Sequence, residues 1–201
     1  MIELKNTLKK FDSYTALDHV DLKIEKGTAF GLLGSNGAGK STLLNMVTGV
    51  YPVDCGSIKI DGIDITNLPE YKRAKYFGRV FQDPMTGTAA DMQIDENLAL
   101  AARRGKMRTL RNGVSKKERE EFKELLKKLD LGLENRLTSK VGLLSGGQRQ
   151  AITLLMATMQ NPKLLLLDEH TAALDPQTAA KVLSLTDELI SAGNITTLMI
   201  T

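Results

Sequence analysis

The sequence predicts an α/β fold in which an antiparallel β-region precedes a parallel or mixed sheet and a helical subdomain is inserted into the chain. Three observations lead to this prediction. Residues 1–33 contain short stretches that alternate apolar and polar side chains, which is typical of strands. From about residue 84 to 160 helical signals replace them. Residues 161–201 contain two apolar strand-like runs separated by a helical pattern, which favours parallel strands joined by helices.

The composition is that of one globular domain. The chain has 201 residues, of which 42% are hydrophobic and 25% charged, and no apolar run approaches membrane-spanning length. The N-terminal segment has no apolar signal-peptide region, and the single Cys55 permits no internal disulfide, as in a reducing compartment. A net charge of +3 is too small to indicate nucleic acid binding. We therefore expect a cytoplasmic protein without a nucleic acid partner.

The N-terminal half predicts strands around a single helix. IELKNTLKKF, HVDLKI, TAFGLLG and FGRVFQD each predict a strand, and SIKIDGIDI predicts a hairpin that turns at Asp61-Gly62. KSTLLNMVTG predicts a helix that is closed by Gly49.

The C-terminal half predicts three helices and two buried strands. Ser115 and Glu118 form a capping box before the first helix, and a second helix runs from about Ser145 to Gln160. PKLLLLDE and ITTLMI predict strands that are buried on both faces, and Asp175-Pro176 begins the helix between them. The expected organisation is one domain over 1–201, with a catalytic core at 1–83 and 161–201 and a helical insertion at about 84–160. The first helix carries one apolar stripe of Phe122, Leu125, Leu126 and Leu129.

The segment GSNGAGKS at 34–41 fits the phosphate-loop pattern G-x-x-x-x-G-K-[ST], between a strand and a helix as the pattern requires. Gly34, Gly37 and Gly39 let backbone N–H groups converge on phosphate oxygens, and the helix N-terminus adds partial positive charge. Lys40 is placed to reach the β- and γ-phosphates, and Ser41 offers a hydroxyl to Mg²⁺. The alternative is a glycine-rich loop that binds no ligand. It would not explain why the strand, the helix, the lysine and the serine all stand where the pattern requires them. The segment therefore predicts a P-loop NTPase core that binds the phosphates of a nucleotide together with Mg²⁺.

Two carboxylates follow the apolar run at 164–167. A phosphate loop needs a carboxylate to hold the metal, and we expect the strand ending at Asp168 to lie beside the loop in the sheet. Glu169 is placed to orient and deprotonate the water that attacks the γ-phosphate, so it is the predicted catalytic residue. The alternative for Glu169 is a surface partner for a lysine.

A second glycine-rich segment, LLSGGQRQ at 143–150, begins a predicted helix, although glycine is a poor helix former. Ser145 can cap the helix, and Gly146 and Gly147 leave N–H groups open to an approaching phosphate. Because this segment lies in the helical insertion, we expect it to be far from the phosphate loop of its own chain. Two copies arranged head to tail would let each copy cover the nucleotide held by the other.

Together these segments resemble the ATP-binding-cassette (ABC) ATPases over the whole chain and in family order. GSNGAGKS resembles their Walker A motif, LLLLDE their Walker B and LSGGQRQ their signature. The resemblance implies that Gln82 contacts Mg²⁺ and senses a transmembrane partner, and that Asp175 lies in a D-loop at the dimer interface. Phe11 is spaced like the aromatic that stacks on adenine; Tyr14 is the second candidate, and core packing is the alternative for both. The implied ligand-binding residues are Phe11, Gly34, Ser35, Asn36, Gly37, Ala38, Gly39, Lys40, Ser41 and Thr42 for ATP, Ser41, Gln82 and Asp168 for the metal, and Ser145, Gly146, Gly147 and Gln148 for the ATP of the partner.

Two departures from the family pattern affect the expected chemistry. His170 stands where the family usually has proline, so it is either a group that titrates near the site, with an ordinary pKa of about 6.5, or a tolerated loop residue. The family's switch histidine follows a strand like TTLMIT, and this sequence ends at Thr201. The expectation is therefore a cassette with a truncated C-terminal end, in which ATP binding is retained and hydrolysis is in doubt.

The resemblance implies the ATP-binding subunit of an ABC transporter, similar to bacterial importers, at the cytoplasmic face of the membrane. The implied partners are a second ATPase subunit in a homodimer or pseudo-symmetric heterodimer, transmembrane permease subunits and a solute-binding protein. An amino acid or similar organic solute is the expected cargo. The alternatives are a soluble ABC ATPase acting on ribosomes or DNA, and a P-loop kinase, which leaves LSGGQ unexplained. A basic run could face anionic lipid or an acidic partner loop, or be an ordinary solvated surface; it comprises Arg103, Arg104, Lys106, Arg108 and Arg111.

Overall fold

The structure, a computed structural model, describes residues 1–106 and 113–201, which form eight strands and six α-helices. Two 3₁₀ turns, Leu133–Asn135 and Val141–Leu143, lie between the fourth and fifth helices. The strands are β1 (Ile2–Phe11), β2 (Tyr14–Ile24), β3 (Ala29–Leu32), β4 (Cys55–Ile60), β5 (Ile63–Asp64), β6 (Phe77–Val80), β7 (Leu164–Asp168) and β8 (Thr197–Ile200). The α-helices are α1 (Lys40–Thr48), α2 (Glu70–Arg73), α3 (Ile94–Ala102), α4 (Lys116–Lys127), α5 (Gly146–Thr158) and α6 (Pro176–Gly193).

The strands form two separate sheets, which confirms the predicted fold class. The antiparallel sheet has the order β2-β1-β4-β5, and the hairpin between β4 and β5 turns at Asp61-Gly62 as predicted. The second sheet has the order β3-β8-β7-β6, and all of its pairings are parallel. One expectation was wrong: β7 does not lie beside the strand that leads into the phosphate loop, because β8 lies between β7 and β3. Strand β8, the last apolar run of the sequence, therefore lies between β3 and β7, which both precede it in the chain.

Helix α1 is buried between the two sheets. Its Leu44 and Met46 belong to an apolar cluster that also contains Ile58 of the antiparallel sheet and Leu164 and Leu166 of β7. The opposite face of β7 contributes Leu165 and Leu167 to a different cluster, with residues of α5. Strand β7 is therefore buried on both faces, which explains why its sequence is an uninterrupted apolar run. Helix α1 ends as predicted at Gly49, which adopts the left-handed conformation with a φ of 91°.

The helices between β6 and β7 pack around a cluster of their own. Phe122 and Leu126 of α4 are buried in it with Leu98 of α3 and Ile152 of α5. The predicted capping box is present, since Ser115 Oγ accepts a hydrogen bond from the Glu118 N–H and the Glu118 carboxylate accepts one from the Ser115 N–H. None of the helices formed by the described residues is both long and apolar enough to span a bilayer.

The basic run is not an uninterrupted cationic surface. Arg103 is paired with the Glu118 carboxylate at 2.8 Å. Arg104 donates to the carbonyl oxygen of Ala157 at 3.3 Å, and burial lowers its pKa. Arg108 and Arg111 lie outside the described residues. Two of the predicted surface cations are therefore used for contacts within the chain.

Asp61 joins the two sheets through an ion-pair network. Its carboxylate accepts a hydrogen bond from Lys163 Nζ at 2.6 Å, just before β7, and one from the N-terminal ammonium of Met1 at 2.8 Å. The Lys163 hydrogen bond and then the Met1 ammonium lower the pKa of Asp61 to about 2. A carboxylate whose pKa is depressed by folding stabilises the protein above its unfolded pKa of about 3.9, and this contribution disappears as the pH falls towards the folded value.

Asp61→Asn is therefore expected to lower the free energy of unfolding at pH 7 by about 1 kcal/mol, a value that allows for solvent screening of a partly exposed carboxylate. The difference from the unsubstituted protein should shrink as the pH is lowered from 4 towards 2. Urea unfolding across this range provides the measurement, with Asp187→Asn on the exposed face of α6 as the control. A difference that stays constant down to pH 2 would contradict the assignment.

Candidate nucleotide-binding site

The parallel sheet brings the predicted site residues to one edge. Strands β3, β6 and β7 run in the same direction, so the segments that follow them leave the sheet on the same side. The phosphate loop follows β3, Gln82 follows β6, and Glu169 follows β7. Residues that are more than 120 positions apart in the sequence thus meet because parallel strands share their carboxyl edge.

These segments surround a cavity of about 530 Å³. The polar lining combines backbone of the glycine-rich loop with the side chains of Lys40 and Glu169, so that a cation and a carboxylate face the same space. Asp168 is not among the lining residues. The lining consists of Phe11, Tyr14, Ala16, Ser35, Asn36, Gly37, Ala38, Gly39, Lys40, Ser41, Thr42, Gln82 and Glu169.

The loop geometry suits a phosphate chain. Gly37 and Gly39 have φ values of 85° and 82°, a conformation that side chains disfavour. A Cβ at Gly39 would lie 2.6 Å from the carbonyl oxygen of Ala16, whereas a Cβ at Gly37 would meet nothing within 4 Å. Helix α1 has no side-chain cap, because its N-cap residue is Gly39. Its first N–H groups therefore face the cavity without a capping side chain, in the arrangement that binds anions at helix N-termini.

Lys40 lies across the inside of the loop. Its side chain is buried, and Nζ donates to the carbonyl oxygen of Gly34 and, at 3.5 Å, to that of Ser35. These carbonyls hold the ammonium at the centre of the loop, where it faces the same space as the helix N-terminus. A phosphate chain in this space would meet positive charge from both.

Phe11 and Tyr14 border the outer part of the cavity. Phe11 is 39% exposed and contacts Tyr51 edge to face, with 5.2 Å between ring centroids. Tyr14 is 58% exposed, and its hydroxyl donates to the carbonyl oxygen of Gly37 at 3.3 Å. Because both rings are exposed, neither is a core residue, and each presents apolar surface next to the phosphate loop.

Asp168 is held by a cation that the sequence analysis did not single out. Its Oδ2 accepts from Arg79 Nη2 at 3.2 Å, and Arg79 Nη1 donates to Asn45 Oδ1 of α1 at 2.8 Å. The guanidinium also stacks on the ring of Phe81, 4.6 Å from its centroid. An arginine within a short apolar strand was the available signal, since a charge in a buried strand usually has a partner. This network fixes the orientation of the Asp168 carboxylate next to the cavity.

Glu169 and His170 point to opposite environments. Glu169 has a positive φ of 43°, its N–H donates to the carbonyl oxygen of Ile200 at 3.1 Å, and its side chain lines the cavity. His170 is only 2% exposed, and its Nε2 lies 3.2 Å from Thr186 Oγ1 of α6. Burial lowers the pKa of His170. His170 is therefore a buried residue of the turn after β7 that contacts α6, as a loop residue would be.

The second glycine-rich segment lies on a different surface. Ser145 is exposed at the N-terminus of α5, where its Oγ accepts from the Gln148 N–H at 3.3 Å while Gln148 Oε1 accepts from the Ser145 N–H. Ser145, Gly147 and Gln148 line a separate cavity of about 440 Å³, and none of them lines the cavity of the phosphate loop. In the same helix Gln150 is fully buried and donates to the carbonyl oxygen of Phe81, directly before Gln82.

Asp175 is exposed and caps α6, accepting a hydrogen bond from the Thr178 N–H at 3.0 Å. Hydrogen bonding with the side chain of Thr178, and then with its N–H, lowers the pKa of Asp175. The predicted cap is confirmed, and Pro176 occupies the first turn of the helix as expected.

The family model described as ABC transporter matches residues 17–172, which is more than half of the chain. The chain belongs to the ABC transporter family. It is an ATP-binding cassette, the domain of these proteins that binds and hydrolyses ATP. The family and the fold class expected from the sequence are thus confirmed.

Related proteins support this membership along the whole chain. A tyrosine transport ATP-binding protein of Clostridioides difficile (strain R20291) is 45% identical over 206 residues, which cover 100% of this chain and 82% of that protein. The methionine import ATP-binding protein MetN of Clostridium acetobutylicum (strain ATCC 824) is 38% identical over 207 residues, which cover 100% of this chain. The cassette spans 61% of the length of that MetN, which is less than two thirds.

Solved structures agree with the fold. The ADP conformation of MJ1267, an ATP-binding cassette of an ABC transporter, shares 32% identity and a TM-score of 0.81, and the match covers 99% of this chain and 80% of MJ1267. The dimeric bacterial ABC transporter cassette MJ0796 shares 30% identity and a TM-score of 0.81, over 100% of this chain and 88% of that chain.

Lys40→Ala is expected to weaken ATP binding by at least about 100-fold, because the phosphates would lose the only lysine that, among residues 1–106 and 113–201, lines this cavity. Isothermal calorimetry measures this loss directly. Lys117→Ala, at an exposed position of α4, is the matched control and should bind ATP like the unsubstituted protein. Unchanged affinity in Lys40→Ala would show that the loop does not bind the phosphates.

Proposed function

We propose that this cassette is the ATP-hydrolysing subunit of an ABC transporter that imports an amino acid or a similar organic solute. The supporting observation is that the predicted ATP contacts lie on two separate surfaces of the chain. One surface is the cavity lined by Lys40 and Glu169, and the other is the exposed N-terminus of α5 at Ser145. One copy alone therefore cannot supply both sets of contacts to one nucleotide, whereas two copies related by a two-fold axis can.

In this proposal the phosphate loop binds the triphosphate of ATP through its N–H groups and Lys40. Phe11, or Tyr14 beside it, stacks on the adenine ring. Glu169 orients and deprotonates the attacking water, and its position in the cavity suits this role. The other residues of the binding loop surround the phosphates. They are Gly34, Ser35, Asn36, Gly37, Ala38, Gly39, Ser41 and Thr42.

Mg²⁺ would be held by Ser41, Gln82 and Asp168, with phosphate oxygens and water completing the coordination. The chemistry of these donors fits a hard cation, because they offer a hydroxyl, an amide carbonyl and a carboxylate oxygen. No cluster of three or more His, Cys, Asp and Glu side chains suited to a metal occurs among residues 1–106 and 113–201. The site therefore suits an ion that enters together with its nucleotide. When bound, the ion would neutralise charge on the β- and γ-phosphates.

The partner subunit would cover the nucleotide with the N-terminus of α5, comprising Ser145, Gly146, Gly147 and Gln148, and would contribute its D-loop at Asp175. The pair is either a homodimer or a pseudo-symmetric heterodimer. The solved cassette MJ0796, which is 30% identical, is described as dimeric. ATP closes the dimer and hydrolysis reopens it, and this motion drives the transporter.

Permease subunits would receive this motion at the helical insertion, residues 84–160, while residues 1–83 and 161–201 form the catalytic core. Gln82 lies at the boundary between these parts, and Gln150 of the insertion holds the carbonyl of the residue before it. In this arrangement the cassette is peripheral to the cytoplasmic face of the membrane and does not bind nucleic acid. A solute-binding protein would deliver the cargo from the other side.

An amino acid is the cargo that the related proteins favour. The two relatives described above are named for tyrosine transport and methionine import, and both match the chain over its full length. The cassette itself has no contact with the cargo in this proposal, so the choice of solute belongs to its partner chains.

The first test of the proposal is a dimer trapped by ATP. Glu169→Gln keeps the shape of the side chain but removes the base, so it should accumulate as an ATP-bound dimer with little turnover. Size-exclusion chromatography with light scattering, with and without Mg-ATP, measures the dimer. A protein that stays monomeric under all nucleotide conditions would argue against the two-surface site.

A second substitution tests the role of the α5 N-terminus. Ser145→Arg in the Glu169→Gln background places a bulky cation on this exposed surface, so ATP-driven dimerisation should be lost. ATP affinity of the monomer should remain nearly the same, because Ser145 does not line the phosphate-loop cavity. Parallel loss of both properties would mean that Ser145 supports the fold instead.

A third test identifies the partners. The tagged cassette is expected to co-purify with a multi-span permease from solubilised membranes, and its depletion should reduce uptake of radiolabelled tyrosine or methionine. Recovery with ribosomes instead, together with unchanged uptake, would favour a soluble ABC ATPase.

A further inference from the structure

Two adjacent glycines, Gly146 and Gly147, begin the first turn of α5. Neither has a positive φ, so the backbone conformation does not require glycine at either position. Alanine is the better helix former, and a helix N-terminus retains its N–H groups whatever the side chain. Another constraint must therefore explain why side chains are absent here.

The surroundings of the missing side chains differ at the two positions. Gly147 is buried, and a Cβ there would overlap with Cγ2 of Thr178 in α6. The next nearest atoms, Cβ and Oγ1 of Thr178, would lie at 3.5 and 3.8 Å, which are ordinary contact distances. A Cβ at Gly146 would lie 3.4 Å from Cδ2 of Leu174. Steric exclusion is therefore specific to Gly147 and comes from one methyl group.

This contact lies between two helix N-termini. Thr178 is in the first turn of α6, and its N–H donates to Asp175, the cap of that helix, at 3.0 Å. Gly147 is two residues after Ser145, the cap of α5. Without a side chain at Gly147, the two helices approach closely at this point, so the two capping residues have a fixed relative position.

We propose that Gly147 is a positioning residue whose missing side chain seats Thr178 of its own chain, so that Ser145 and Asp175 are presented to the partner subunit as one rigid surface. The packing part of this inference stands on the geometry alone, and its consequence for the dimer rests on the proposed function. It gives the missing side chain of Gly147 a reason within its own subunit, beside the sequence-based hypothesis that Gly147 is bare in order to admit a phosphate. The evidence for the packing role is the direction of the missing Cβ, which would point towards Thr178 of α6.

The test is a double-mutant cycle between positions 147 and 178 in the Glu169→Gln background. Gly147→Ala should lower the Tm of the monomer by roughly 4 °C, because the added methyl overpacks the α5–α6 contact. It should also weaken ATP-driven dimerisation by about tenfold or more. ATP affinity of the monomer, measured by calorimetry, should not change, since Gly147 does not line the phosphate-loop cavity.

Thr178→Ser removes the clashing Cγ2 and leaves the backbone hydrogen bond to Asp175 in place. In the double variant the nearest atom to the new Cβ is at 3.5 Å, so both the Tm and dimerisation should return close to the starting values. Thr178→Ser alone should change both only slightly. Gly146→Ala is the steric control for the monomer, and its Tm should not fall.

Rescue of both properties by Thr178→Ser supports the inference. Loss of dimerisation in Gly147→Ala without rescue would overturn it, because the glycine would then serve the approach of the partner's nucleotide. If the Glu169→Gln protein forms no dimer with ATP, the proposed function fails, and the melting temperatures still decide the packing claim. In that case a Tm that is lowered and then restored supports the packing claim, and any other pattern overturns it.

Discussion

Main-chain N–H groups of the glycine-rich loop and one buried ammonium face a common cavity, and the parallel sheet is what brings these groups to the carboxylate of Glu169. Parallel strands end on one edge, so the loop after β3, Gln82 after β6 and Glu169 after β7 share a cavity. The register of β7 depends on burial of both of its faces, since Leu164 and Leu166 pack towards α1 while Leu165 and Leu167 pack towards α5. The position of Glu169, the proposed catalytic residue, is therefore set by hydrophobic packing on both sides of β7.

Two basic side chains near the site have different partners. Lys40 is buried inside the loop and its Nζ is held by main-chain carbonyls, so its charge faces the cavity that Glu169 also lines. Arg79 of β6 pairs with Asp168 of β7 and donates a hydrogen bond to Asn45 of α1. These contacts link β6 and β7 to the helix that follows the phosphate loop. Lys40 thus supplies positive charge to the cavity, and Arg79 holds the Asp168 carboxylate in place.

The helical part of the chain is joined to this site at two points. Gln150 holds the carbonyl of Phe81 next to Gln82, and Gly147 packs against Thr178 in the helix that follows Glu169 along the chain. Both contacts start from α5, whose N-terminus is the second predicted nucleotide-binding surface. Helix α5 thus contacts both the segment after β6 and the segment after β7. A displacement of α5 would therefore shift both segments. Of the two glycines at the start of α5, Gly147 has a steric reason in Thr178 that involves no ligand.

Local patterns predicted most of the elements, because capping boxes, the Asp61-Gly62 turn, apolar runs and the phosphate-loop spacing act within a few residues. The sequence by itself therefore determined the fold class, the family and the position of the glycine-rich loop before α1. Only the tertiary structure decided which strands are neighbours, and it placed β8 between β3 and β7. It also decided that His170 is buried, that Arg79 holds Asp168 and that Thr178 excludes a side chain at Gly147. These features depend on contacts between residues far apart in the sequence, and close packing of distant elements leaves no periodic signal in the chain itself.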